Sequence, residues 1–191
     1  MDEDIARAAA DALATGPRLT PAEASDAVPH APGLYAVYGD ASACAHLATG
    51  TPDRPLYVGK AEHSLAARDV RTHFATGRTG SSTLRRTLAA LLRDHLALHA
   101  IPRNPARPDG SASFALEPGG DARLTEWMRA RLCLAVWPGP EGVTLNEIET
   151  AVLTRLRPPL NLSKMGPSAD PRLKAARSAL SAEARAWRPG G

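Results

Sequence analysis

The chain has 191 residues, 43% hydrophobic and 23% charged, with 17 prolines and 15 glycines. That suits one domain with extensions, long enough to bury a core without staples, and the prolines and glycines imply many connections or loose termini. A formal net charge of +3 is too small for the whole-molecule field to announce a nucleic-acid partner, and the absence of an apolar run of about eighteen residues argues against a membrane span. Cys44 and Cys133 show no metal-ligand spacing and no disulfide framework. Reduced thiols and an acidic Met1-Asp2-Glu3-Asp4 start, without a leading apolar run, predict a cytoplasmic protein.

Ile5, Ala8, Ala9 and Leu13 recur at helical spacing until Gly16-Pro17, predicting a first helix. Thr20-Pro21-Ala22-Glu23 reads as an N-cap, a first-turn proline and a capping-box acid, opening a short second helix. After Pro29 and Pro32, the stretch Gly33 to Tyr38 has the aromatic and branched content of a strand. Gly39 to Pro55 is expected to be a long loop with a helical turn near Ala43 to Leu47. Leu56 to Gly59 follows as a second strand, antiparallel to the first because only a loop joins them.

Ser64 to Arg68 opens a helix that Gly77 closes, and a longer helix is predicted from Ser82 to His99, with Leu84, Leu88, Leu91, Leu92 and Leu96 inward. Ile101 to Gly120 reads as loop, with Phe114-Ala115-Leu116 as a short edge strand. A helix over Leu124 to Arg131 leads into a third strand, Leu132 to Trp137. Thr144, with Glu147 at the capping-box position, starts a helix whose stripe is Leu145, Ile148, Val152 and Leu156, and Pro158-Pro159 ends it. Leu173, Ala176 and Leu180 predict one more helix, surrounded by Lys174, Arg177 and Arg185. The expected organisation is an N-terminal helical extension (1–31), a core domain (32–163) and a basic C-terminal helix and tail (164–191).

Charge is unevenly distributed. Between Lys60 and Arg107 lie Arg68, Arg71, Arg78, Arg85, Arg86, Arg93 and Arg103, against only Glu62, Asp69 and Asp94. Arginine's planar fork grips phosphate in a bidentate way that lysine does not match.

Four short signals then stand in order: Gly33-Leu34-Tyr35, Tyr57-Val58-Gly59-Lys60, the acid Glu149, and Pro158-Pro159-Leu160-Asn161. From about Pro32 to Leu162 this set resembles the GIY-YIG nuclease family, with Leu34 and Val58 replacing the isoleucines. The resemblance implies an α+β GIY-YIG fold: a small, mainly antiparallel three-stranded sheet flanked by helices, with helical additions at both ends. It further implies metal-dependent hydrolysis of a DNA phosphodiester, leaving 5′-phosphate and 3′-hydroxyl ends; DNA is the expected partner, with RNA left open.

By resemblance Tyr57 is the general base and Tyr35 positions the attacking water. A free phenol near pKa 10 is a poor base at neutral pH, so a cation is expected to help, Lys60 or the metal. Gly59 would let backbone and phosphate approach closely. Arg68 matches the family's catalytic arginine, one residue further along than the commonest spacing, with Arg71 as runner-up and His73 ranked below both. Glu149, twelve residues before Asn161, would hold a single Mg2+ or Mn2+. Glu147 points about 200 degrees away on the same helix, so only one of the two faces a cleft. Asn161 would fix local geometry by hydrogen bonding. Arg68, Arg71, Arg85 and Arg86 are expected to bind the backbone.

Relative to compact family members, the span between the tyrosines is long, which makes Gly39 to Pro55 an insertion. The alternative is a nucleic-acid-binding module, or a subunit of a repair or defence complex, that keeps the scaffold without cutting. A protein partner bound through the terminal extensions fits either reading.

Overall fold

The computed structural model describes residues 3–68, 72–104 and 113–188, without the side chains of residues 67, 68 and 168. Two helices, α1 (Glu3–Thr15) and α2 (Pro21–Ala27), precede strand β1 (Gly33–Gly39). Helix α1 buries Ala6, Ala9, Ala10 and Leu13, the spacing of one helix face. In α2 the capping box forms as the sequence predicts: Thr20 Oγ1 accepts from Glu23 N–H, and the Glu23 carboxylate accepts from Thr20 N–H.

The loop expected after β1 contains a full helix, α3 (Ala41–Leu47), because Asp40 accepts from Ala43 N–H and caps its first turn. Strand β2 (Tyr57–Ala61) and a single-turn helix α4 (Leu65–Arg68) follow. Helix α5 (Thr83–Leu91) stops short of the predicted His99. Turns carry the chain on from Leu92, and Ala97 sits at φ +48, which continuing helix does not allow. Strand β3 (Ala100–Pro102) pairs with β4 (Phe114–Leu116), so the predicted edge strand has a partner within the expected loop. Helix α6 (Pro118–Arg131), strand β5 (Leu132–Pro138), helix α7 (Leu145–Leu156) and helix α8 (Pro171–Ala186) complete the order. Thr144 makes no side-chain cap, contrary to the capping box expected there.

The main sheet is three-stranded, in the order β2-β1-β5, and antiparallel throughout. This is the α+β architecture predicted from the sequence. Central strand β1 is buried along its whole length, and its alternation sorts side chains to two cores. Leu34, Ala36 and Tyr38 pack with residues of α1 and α7; Tyr35 and Val37 face the other way, into a larger core shared by α5, α6 and α8. Tyr38 donates to Leu13 C=O at 2.7 Å, tying α1 to the sheet.

Strand β2 is an edge, and its open side is covered by the chain after α7. Leu160 N–H donates to Leu56 C=O, and the Asn161 side chain pairs with Val58. Cys44 and Cys133 are free thiols whose pKa values burial pushes up. Among the described residues, no helix is long and apolar enough to cross a membrane.

Candidate active site

Antiparallel register brings the two tyrosines together. Tyr35 pairs with Gly59 and Val37 with Tyr57, so both phenols rise from the same face of neighbouring strands, with ring centroids 6.2 Å apart. Gly59 lies directly under the Tyr35 ring, and a Cβ there would run into the phenol oxygen. The glycine is therefore required by Tyr35 itself, a closer reason than the approach of phosphate expected from the sequence.

Helix α7 packs on the opposite sheet face through Ile148 and Val152 and runs beside the edge strand β2. Around that edge Glu149 reaches the tyrosine side. Tyr35, Tyr57, Gly59, Lys60 and Glu149 line one open cleft of about 570 Å³. Glu147 instead faces a separate groove between α7 and α1, so the two acids diverge as helical geometry requires.

Asn161 is 6% exposed and braces the site from the sheet edge. Its Oδ1 accepts from Val58 N–H at 2.9 Å and its Nδ2 donates to Val58 C=O at 2.8 Å. The side-chain amide thus serves as one peptide unit of a missing fourth strand, fixing the backbone next to Tyr57.

His73, ranked below the arginines, is 1% exposed and at the centre of the cluster. Its Nε2 lies 2.6 Å from Tyr35 Oη, and its Nδ1 lies 2.7 Å from Ser82 Oγ. Ser82 Oγ also accepts from Arg85 N–H at 3.1 Å, as the N-cap of α5. That oxygen keeps a proton and a lone pair for the ring, so its hydrogen bond to Nδ1 can be made with either imidazole tautomer.

Arg85, expected on the nucleic-acid surface, is wholly enclosed and belongs to the core. It forms an ion pair with Asp121 at 3.0 Å and donates to Thr79 Oγ1, Thr125 Oγ1 and His73 C=O. Burial pushes its pKa down, and Asp121 opposes that shift. A guanidinium with every side committed inside the protein cannot reach a phosphate; its bond to His73 makes it a support of the cluster.

Arg86, its sequence neighbour, is only part-buried and donates to Gly80 C=O at 2.9 Å and to Thr83 Oγ1 at 3.3 Å. Its pKa is lowered by burial and then by the Arg177 and Arg103 charges, while attraction to the Tyr57 oxygen acts the other way. The Arg68 side chain and the whole of Arg71 lie outside the described residues.

Lys60 pairs with Glu62 and donates to Asn146 Oδ1 at 3.3 Å. Sequence reading missed Lys164, which turns at φ +64 and sends its ammonium into the site. There it meets Glu149 Oε2 at 2.6 Å, Asn146 Oδ1 at 2.7 Å and Asn146 C=O at 3.1 Å. Three oxygens converging on one cation form the donor type that a hard divalent ion takes. No group of three His, Cys, Asp or Glu side chains gathers among the described residues. A metal held here would therefore depend on Glu149, backbone or amide oxygen, water and substrate phosphate, as Mg2+ commonly does.

The model of a family described as the GIY-YIG catalytic domain matches residues 44–179. The matched stretch includes Tyr57, Glu149, Asn161 and the first half of α8, and Tyr35 precedes it. No curated protein and no solved structure matches the chain.

Proposed function

We propose that this chain, which belongs to the GIY-YIG family, works as a metal-dependent endonuclease that hydrolyses DNA phosphodiester bonds. The observation that carries this reading is the opening of Tyr35, Tyr57 and Glu149 onto one cleft, from two strands and a helix on the opposite side of the sheet.

In this reading Tyr57 takes the proton of the attacking water. Arg86 and Arg177 both attract negative charge on its oxygen, a role the sequence had given to Lys60 or the metal. Tyr35, held by His73, orients the water, and the His73–Ser82 pair accommodates proton movement behind it. Glu149, with the Asn146 oxygens close by, would hold Mg2+ or Mn2+, which supplies Lewis-acid stabilisation of charge on the phosphoryl oxygens when bound. Lys60 adds positive charge to the same cleft. Arg68, on α4, keeps the proposed role of offsetting charge on the phosphate, with Arg71 as its alternative.

The ion pair between Lys164 and Glu149 favours a second reading, a nucleic-acid-binding module in which the ammonium occupies the acid. Nicking of supercoiled plasmid with Mg2+ or Mn2+ separates the two. The parent should cut, EDTA should stop it, and Glu149→Gln and Tyr57→Phe should each lose about a hundredfold or more in rate while still binding DNA. Equal cutting by Glu149→Gln and the parent would overturn the assignment; a parent that binds without cutting would support the second reading.

A further inference from the structure

Helix α8, read from sequence as part of a basic C-terminal addition, packs against α5 and buries Leu173, Leu180 and Ala184. Arg177 lies four residues after Leu173 and three before Leu180, on this inward face, whereas Lys174 is exposed. Arg177 is half-buried, and its guanidinium carries five N–H donors, with no hydrogen bond or ion pair to any described residue.

Arg86 on α5 is close enough for the two charges to repel, and the exposed Arg103 adds a third. Arg86 is oriented by Gly80 and Thr83, but its Nε is enclosed without a hydrogen-bond partner. Among the described residues no carboxylate forms an ion pair with Arg86, Arg103 or Arg177. Glu183 is committed to Arg93 and Glu149 to Lys164. Thr83, which holds Arg86, also lines a recess of about 150 Å³ with Tyr57, Glu149 and Asn161, so Arg86 stands one hydrogen bond from that recess. Like charges brought together in a half-buried place cost stability, and an anion docked between them offsets that cost.

We infer that Arg177, together with Arg86, binds a backbone phosphate of the substrate strand beside Tyr57, so that α8 forms one wall of the substrate cleft. The inference rests on the endonuclease reading, and it names a contact outside the motif residues. A phosphodiester is the fitting anion because the planar fork of Arg177 can grip its paired oxygens while Arg86 adds a second positive charge.

The test is fluorescence anisotropy of labelled duplex and single-stranded DNA in EDTA over a series of KCl concentrations. It compares the full chain with Arg177→Gln, Arg177→Lys and Lys174→Gln. Arg177→Gln should weaken binding about three- to tenfold and lower the slope of log affinity against log salt by about 0.7–0.9. Arg177→Lys should recover the slope, because one charge remains, but not the whole affinity. Lys174→Gln, on the outer face, should leave the slope unchanged. Its Tm should show Arg177→Gln to be as stable as the parent or more so, since a repelling charge is removed.

Parent affinity and slope in Arg177→Gln would overturn the inference, as would an equal loss in Lys174→Gln, or a Tm drop whose slope change Arg177→Lys fails to reverse. A parent that cuts with an Arg177-independent slope removes this inference alone. A parent that never cuts but binds with an Arg177-dependent slope removes the endonuclease reading alone.

Discussion

Replacing Asn161 tests whether one side chain holds the strand that carries Tyr57. In Asn161→Ala, the N–H and C=O of Val58, a residue with no exposed surface, lose both partners. A buried polar group left without a partner costs about 1–3 kcal/mol. Water entering the vacated space recovers part of that, so a net loss of about 3 kcal/mol is expected, and a fall in Tm of roughly 6–12 °C for a chain of this size. Asn161→Asp sharpens the test. As a neutral acid, its carbonyl accepts from Val58 N–H and its hydroxyl donates to Val58 C=O, reproducing the amide. As a carboxylate it has no proton to give and confronts the carbonyl oxygen. Folding should therefore raise its pKa above the unfolded value of about 3.9. With the folded pKa raised, the favourable contribution is fully present below the unfolded value and is lost as pH rises through the folded one. Urea unfolding across a pH series should show Asn161→Asp nearest the parent under acid conditions and furthest above neutrality. Asn161→Ala within 1 kcal/mol of the parent, or an Asp deficit that does not change with pH, would refute the reasoning.

Arg85→Ala leaves Asp121 buried without its partner and should cost about 3–5 kcal/mol in chemical denaturation; a stable variant with a reduced salt slope for DNA would instead return Arg85 to the binding surface. Gly59→Ala forces a methyl against the Tyr35 phenol. It should cost about 1–3 kcal/mol of stability, as overpacking does, and slow plasmid nicking; unchanged values for both would mean that the tyrosine has room to move.

The sheet was legible because its signals are local. Tyr35 and Tyr57 lie in runs with strand content, and once the two strands pair antiparallel the phenols share a face. Helical angle alone said that Glu149 and Glu147 could not share a cleft, and the two acids do line different grooves, but the choice of Glu149 rested on its spacing to Asn161. Arg85 could not be distinguished from Arg86 by charge: its counter-ion, Asp121, lies 36 residues away on another helix. The importance of His73 depends on a crossing between α5 and β1 that no local pattern encodes, although Ser82 at the start of a helix was a readable N-cap. Lys164 reaches Glu149 only through a left-handed turn at a non-glycine residue, a conformation that composition does not announce. Arg177 did have a signal, its place between Leu173 and Leu180, but helical spacing alone does not reveal that another arginine waits opposite.

An edge strand usually invites pairing with a foreign chain, and proteins guard such edges with charge, proline or a covering segment. Here Leu160 and Asn161 occupy hydrogen-bonding positions along β2, and the prolines at 158 and 159 stand just before them. The strand that bears Tyr57 can thus border an open cleft without offering a template for aggregation.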